Sequence, residues 1–419
     1  MNCKLLEIQE HKSLNNEQIN CLSNLGISFP HSNDDTKYLG LSSSWSVGYF
    51  IGAKWIKDNE IALVVNPKIK DLDYLKMFMC CFNNPITSKE ISKIYDIDFE
   101  KTPIQIPSTS FELTPLIIIH FLNLVKKIVK KGLKRDYIWV ENNLNSKIKG
   151  KILINQNIKQ NIIKSRPDRT YCKYQEYSQN CLENKLIKKT LDFVFTYLKS
   201  HYSKNKELLN LFYFNYSAFS DISNNVDVKD IRSLKTNLLY EEYNETLKIA
   251  KIILRRFDYS IHNAEKNKEK YPPFHIDMSL LFELYVYSKL HKTYGKEILF
   301  QYHGKYGDID FLNVKDKTII DTKYKEIYNQ NKYKIEDIRQ LSGYSRDVNV
   351  LKKLNFNLDG NLPILDCVII YPDQDSEKVD IDSLTFKSNR IHQFHKFYKY
   401  GIKLPEKTTK RQSSRLPRQ

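Results

Sequence analysis

The chain has 419 residues, enough for two or three domains with a sizeable core, and its 66 Lys and Arg against 49 Asp and Glu leave a formal net charge of +17. Such an excess favours a polyanionic partner through counterion release. The start, Met1 to Glu7, lacks a signal-peptide apolar region, the longest apolar stretch (Leu113 to Val125) is too short to span a bilayer, and no Gly-x-x-x-x-Gly-Lys-Ser/Thr sequence occurs, so a cytoplasmic protein is expected, with no membrane contact and no nucleotide hydrolysis of its own.

Residues 1–113 read as a β-rich N-terminal domain. Val47 to Ile56, a turn at Lys57 to Glu60, and Ile61 to Pro67 have the pattern of a hairpin, and a helix is expected from Asp73 to Phe82. The seven cysteines (Cys3, Cys21, Cys80, Cys81, Cys172, Cys181, Cys367) are odd in number and lack metal-ligand spacing, so all are read as reduced and structural.

Residues 114–270 read as a mainly helical middle region with a short strand. Thr114 and Pro115 suit N-cap and first helical position, and Gly132 suits the stop. Lys126, Lys127, Lys130 and Lys131 crowd the last turns, where cations sit well against the negative helix end; a DNA or partner patch is the alternative. Lys147 to Ile154 reads as a strand, Asn155 to Arg169 as a basic connector, and helices are expected at Leu182–His201, Lys206–Phe214 and Thr246–Phe257. Asn263 to Tyr271 reads as a surface segment.

From 271 to 402 the residues that carry chemistry gather. Asp277 caps a helix with Glu283 on an otherwise apolar face. Asp308 and Asp310 alternate on one strand, and Asp321 and Lys323 on the next, so pairing of those strands would converge two or three carboxylates on one ammonium. Such oxygens suit Mg²⁺, and a neighbouring lysine can hold or deprotonate an attacking water, which is the chemistry of a metal-dependent phosphodiesterase. Ile335 to Tyr344 reads as a second helix with Gln340 and Tyr344 on one face, followed by a strand at Ile364–Ile370. His275 and His303 are read as hydrogen-bonded structural residues. Residues 403–419 form a basic tail expected to be disordered.

That order of elements resembles the PD-(D/E)xK nuclease superfamily, and the wording resembles the McrC subunit family of McrBC-type, modification-dependent (5-methylcytosine) restriction systems. The matching phrases are Phe274 to Met278 running into Leu281-Phe282-Glu283, then Ile320 to Lys325, then Asp337 to Tyr344. Weaker echoes are Val47-Gly48, Asn66 to Ile69, Lys149 to Ile152, and Tyr171 to Tyr174 leading to Asn184-Lys185-Leu186. The resemblance implies an α+β fold in which 271–402 is the nuclease core, a mixed sheet flanked by helices. It implies Mg²⁺-dependent cleavage of double-stranded DNA. The metal would sit on Asp308, Asp310 and Asp321 with the Thr322 carbonyl, with Lys323 at the water. Glu283 would complete the shell, orient a metal-bound water or remain a satisfied buried carboxylate. Gln340 and Tyr344 would orient Lys323, contact phosphate or pack on the sheet. Gly307 stands where the superfamily has Pro, leaving the first ligand open between Asp308 and Asp310; the family's spacing to the Asp-x-Lys triplet prefers Asp308. The implied partner is a hexameric McrB-type AAA+ GTPase, docked on the N-terminal domain, which binds the GTP in place of this chain. An autonomous repair nuclease and a non-catalytic GTPase activator are the rival readings.

Overall fold

In a computed structural model, residues 4–407 are described apart from 24–37, 82–85, 99–100, 108–112, 227–240, 263–267, 326–327, 329–331, 382–386 and positions 204, 306, 359, 361 and 388. The tail beyond 407, Cys3 and part of the 263–271 segment lie outside them. The chain forms two compact units, Met1–Phe111 together with Asn267–Gln419, and Glu112–Lys266. The segments expected as separate first and third domains thus share one unit.

The first unit begins with β1 (Lys4–Gln9), α1 (Asn16–Ser23), β2 (Phe50–Lys57), β3 (Ile61–Asn66), α2 (Tyr74–Cys81), α3 (Thr87–Glu90), β4 (Tyr95–Ile97) and β5 (Ile104–Pro107). The expected hairpin is β2 with β3, closed by Asn59 at φ 63° and a bond from Glu60 N to Lys57 O. All of Ile61 to Val65 is buried, and β1 runs parallel beside β3. Asp73 caps α2 through its side chain, accepting from Lys76 N at 2.9 Å.

The second unit contains α4 (Leu113–Lys131), β6 (Asp136–Asn145), β7 (Lys151–Ile152), α5 (Ile154–Asn157), β8 (Arg169–Ser178), α6 (Leu182–His201), α7 (Lys206–Ser217) and α8 (Glu241–His262). Helix α4 starts one residue before the expected cap, so Thr114 and Pro115 lie in its first turn, and Gly132 ends it at φ 103°. The expected strand at 147–154 shrinks to two residues. The dominant sheet element is instead the long antiparallel pairing of β6 with β8, whose register runs from Asp136↔Ser178 to Asn145↔Arg169. Much of both faces of β6 is open to solvent, so its sequence lacks the period-two apolar signal of a half-buried strand.

The chain then re-enters the first unit with β9 (Lys268–Tyr271), β10 (Phe274–Asp277), α9 (Met278–Tyr294), β11 (Ile298–His303), β12 (Asp308–Asn313), β13 (Thr318–Thr322), α10 (Ile335–Tyr344), α11 (Val348–Lys353), β14 (Asp366–Pro372) and β15 (Phe397–Ile402). Strand β10 inserts between β2 and β4, giving a sheet of order β1-β3-β2-β10-β4. The last five strands form a mixed sheet, antiparallel from β11 through β13 and parallel from β13 through β15. Tyr287 of α9 packs on Phe300 and Phe311 at ring-centroid distances of 4.9 and 5.9 Å. Ile338 and Leu341 of α10 and Val350 and Leu351 of α11 join an apolar cluster with Ile319, Cys367 and Ile369. The architecture is α+β. Cys21, Cys80, Cys81, Cys172, Cys181 and Cys367 are free thiols, and among the described residues no helix is long and apolar enough to cross a membrane.

Gly52 sits opposite His275 at φ 141°, where an added Cβ would collide with the backbone carbonyl of Phe274. Gly52→Ala is therefore expected to lower stability by about 1–3 kcal/mol, read as a reduced melting temperature. An unchanged melt would show that β10 does not need this close approach.

Candidate active site

Strands β12 and β13 pair Phe311 with Ile320 and Leu312 with Ile319, and one further step of that register sets Asp310 opposite Asp321. Asp310 Oδ2 accepts from the Thr322 N–H at 2.7 Å and from the Thr322 hydroxyl at 2.5 Å. The Asp321 side chain is only 3% exposed, and its Oδ2 lies 2.6 Å from the Lys323 ammonium as an ion pair. That ammonium is the counter-charge of the buried Oδ2 and draws the Asp321 carboxyl toward its ionised form, against the effect of burial. Lys323 Nζ donates to Gln340 Oε1 at 3.2 Å, and Gln340 Nε2 donates to the Tyr344 hydroxyl at 3.0 Å.

Helix α9 supplies the remaining carboxylate. Asp277 caps it, accepting from Leu280 N at 2.9 Å, and sets Glu283 nearly two turns further along, where Gln301 Nε2 donates to its Oε1 at 3.1 Å. Burial, and next the Asp310 charge, push the Glu283 carboxyl up to about 8; burial and Asp310 likewise push Asp321 up to about 7. Burial also raises Asp310, against the opposing pull of Thr322 and Lys323. For Lys323 burial works against the charge, but Asp321 and Asp310 outweigh it and hold the ammonium above its usual value.

The structure thus gathers Glu283, Asp310, Asp321, Lys323, Gln340 and Tyr344. Asp308, the ligand preferred from the sequence, lies at the exposed start of β12, its side chain 66% exposed and engaged with His303 Nδ1 at 2.6 Å. With Asp310 as the inner carboxylate, Ile309, not Gly307, precedes it. Gly307 has its own steric reason, since a Cβ there would come 3.1 Å from the Tyr344 hydroxyl. His303 is hydrogen-bonded to Asp308, and His275 is buried with its ring edge-on to Phe50.

Two residues escaped the sequence reading. Gln301 fixes Glu283 from a strand position at φ 46°, which no local pattern announces. Asp337 accepts from Lys325 Nζ at 3.0 Å and from the Tyr328 hydroxyl at 2.6 Å, pinning the chain just beyond β13. Its spacing to Gln340 and Tyr344, three and seven residues on, places all three on one helical face and was a usable signal.

The buried carboxylate of Asp321 and the half-buried ones of Asp310 and Glu283, all drawn toward protonation, fit a hard divalent cation. Among the described residues no three His, Cys, Asp or Glu side chains form a ready-made metal cage. The donor set suits Mg²⁺ taking one or two carboxylates and completing its shell with water and phosphate.

A carboxyl whose folded pKa exceeds its unfolded value binds an extra proton in the native state. Its stabilisation is therefore present at low pH and lost as pH rises through the folded value. For Asp321 that window runs from the ordinary carboxylate range up to about 7. In chelator-treated buffer, Asp321→Asn, which mimics the protonated form, should gain melting temperature relative to wild type progressively as pH rises from about 4 to about 7. A difference that stays constant with pH would mean that Asp321 is not a strained buried anion.

The family model described as "McrBC 5-methylcytosine restriction system component" matches residues 47–354. No curated protein sequence matches the chain. Among solved structures, a half-complex from a tetradecameric assembly of Thermococcus gammatolerans McrB AAA+ hexamers with bound McrC is similar over 96% of this chain and 95% of that one, with 13% identity and a TM-score of 0.40. A second structure, of the Thermococcus gammatolerans McrBC complex, is similar over 68% of this chain and 87% of that one, with 14% identity and a TM-score of 0.32.

Proposed function

We propose that this chain, which belongs to the McrBC 5-methylcytosine restriction system component family, is the DNA-cleaving subunit of its system, hydrolysing phosphodiester bonds with Mg²⁺ at the site just described. The observation that carries the reading is the convergence of Asp310 and Asp321 on Lys323 at the end of paired strands, with Glu283 facing the same two carboxylates. When bound, Mg²⁺ supplies Lewis-acid polarisation of the phosphate and a more acidic water.

Asp310 and Asp321 hold the ion, with Thr322 fixing the Asp310 carboxylate through two hydrogen bonds. The Thr322 carbonyl is a further candidate ligand. Lys323 orients the attacking water and offsets charge growing on the phosphate, a role served by its raised proton affinity. Gln340, itself held by Tyr344, gives the ammonium a second partner beside Asp321. Glu283 faces the same carboxylates and orients water from the α9 side. The net charge of +17 suits double-stranded DNA as substrate.

An McrB-type AAA+ GTPase, whose hexamers hold McrC in the Thermococcus gammatolerans assembly, is the proposed partner and the subunit that consumes GTP. No large apolar residue in the described part of the N-terminal sheet is exposed, whereas Tyr137, Trp139 and Tyr177 of β6 and β8 are 66%, 63% and 55% exposed, with Tyr137 and Tyr177 ring to ring. An exposed apolar patch of this kind marks an interaction surface, and it favours the β6–β8 hairpin over the N-terminal sheet as the docking element. Trp139→Ala combined with Tyr177→Ala should weaken partner binding at least about tenfold while the isolated chain keeps its melting temperature. Undiminished binding would return the docking site to another surface.

The nuclease reading is tested with methylated and unmethylated plasmid in Mg²⁺, with and without GTP and the partner. Asp321→Ala, Lys323→Ala and Asp310→Ala should each reduce cleavage by more than about a hundredfold, whereas Asp308→Ala should stay within a few-fold of wild type. Cleavage that survives loss of Asp321 would overturn the site. Cleavage without partner would make the chain an autonomous nuclease, and GTPase stimulation without any cleavage would make it an activator.

A further inference from the structure

The residue directly after Lys323 is tied to a different part of the first unit. Tyr324 is 2% exposed, and its hydroxyl donates to Glu10 Oε1 at 3.1 Å. Glu10, just past the end of β1, is itself 1% exposed and also accepts from the Lys68 N–H at 3.0 Å. Lys68 Nζ donates to the Tyr324 backbone carbonyl at 2.7 Å and stands 3.6 Å from the centroid of the Tyr324 ring. The ring also packs, tilted, against Phe282, the neighbour of Glu283, at 5.6 Å between centroids.

Successive residues of this segment are thus held from different sides. Lys323 meets Asp321 and Gln340, Tyr324 meets Glu10, Lys68 and Phe282, and Lys325 meets Asp337. An ammonium that both bonds a carbonyl and lies over the ring of the same residue fixes that residue in position and rotation. Fixing Tyr324 fixes the backbone from which Lys323 springs. A displacement of about 1 Å at such a group can cost on the order of a hundredfold in rate.

We infer that Glu10 and Lys68, from the N-terminal part of the chain, are positioning residues for the candidate active site, clamping Tyr324 so that Lys323 is aimed at the scissile phosphate and Phe282 keeps Glu283 in register with it. This rests on the nuclease reading above. It gives the N-terminal strands a share in catalysis although none of their residues touches the reacting atoms.

The test uses the full chain assembled with its partner, GTP, Mg²⁺ and methylated DNA. Lys68→Met keeps the stem and removes the ammonium; Lys68→Arg keeps a cation over the ring and a donor for the carbonyl. Single-turnover cleavage at saturating DNA should fall by about tenfold to a hundredfold in Lys68→Met, with DNA affinity, partner GTPase stimulation and melting temperature near wild type, and Lys68→Arg should regain most of the loss. An activity-free arm follows acylation of Lys323 by mass mapping of its peptide, which should proceed several-fold faster in Lys68→Met as the freed lysine leaves Asp321. An unchanged cleavage rate with unchanged Lys323 reactivity overturns the clamp. So does a loss of cleavage that tracks equal losses of melting temperature and GTPase stimulation, since that is a folding defect. Failure of wild type to cleave would overturn the nuclease reading alone, because the Lys323 arm still decides whether the clamp exists.

Discussion

Burying carboxylates close together is costly, because each loses hydration and each repels the next. In this protein Asp321 is buried with Glu283 and Asp310 half-buried beside it, and much of their surroundings can be understood as what makes that tolerable. Thr322 gives Asp310 two donors, Gln301 gives Glu283 one, and Lys323 gives Asp321 an opposite charge. What is left uncompensated is a concentration of negative charge at the mouth of a strand pair. A fold that only needed stability would place apolar residues there, as it does one turn of the pleat earlier at Leu312 and Ile319.

The supporting elements converge from distant parts of the sequence. Helix α9 brings Glu283 and Phe282, α10 brings Gln340 and Asp337, and the N-terminal strands bring Glu10 and Lys68 to the residues that follow β13. Together they hold three successive residues, Lys323, Tyr324 and Lys325, so the geometry of Lys323 is determined redundantly. Exposure is concentrated elsewhere: in the second unit, hydrogen bonding satisfies the β6–β8 backbone while its aromatic side chains stay open to water.

The sequence made some of this legible and hid the rest for identifiable reasons. Capping chemistry is local, so Asp277 before α9 could be read directly, and the apolar period of α6 marked Leu182 to His201. Strand alternation brought Asp310 and Asp321 to one face but could not choose Asp310 over Asp308, since both have the same parity. The two differ in depth: Asp308 sits at the open end of β12 beside His303, whereas Asp310 reaches Thr322. The partners of Tyr324 were out of reach of local reasoning, because Glu10 is 314 residues away. The β6–β8 hairpin was missed because two solvent-facing sides erase the alternation by which strands are recognised.

The placement of β10 bears on the order in which the protein can be made. Strands β2 and β4 lie in the first hundred residues, yet the strand that belongs between them begins only at Phe274, after the second unit. During synthesis the early strands therefore emerge with facing edges unpaired, and the second unit, being contiguous, can fold before them. The central gap in that sheet closes only when β10 arrives, and the residue after β10 opens the helix that carries Glu283. A growing or prematurely ended chain consequently lacks both a completed N-terminal sheet and the acidic cluster. Long-range strand pairing of this kind is slow to form, and it delays assembly of the candidate DNA-cutting centre until nearly all of the polypeptide has left the ribosome.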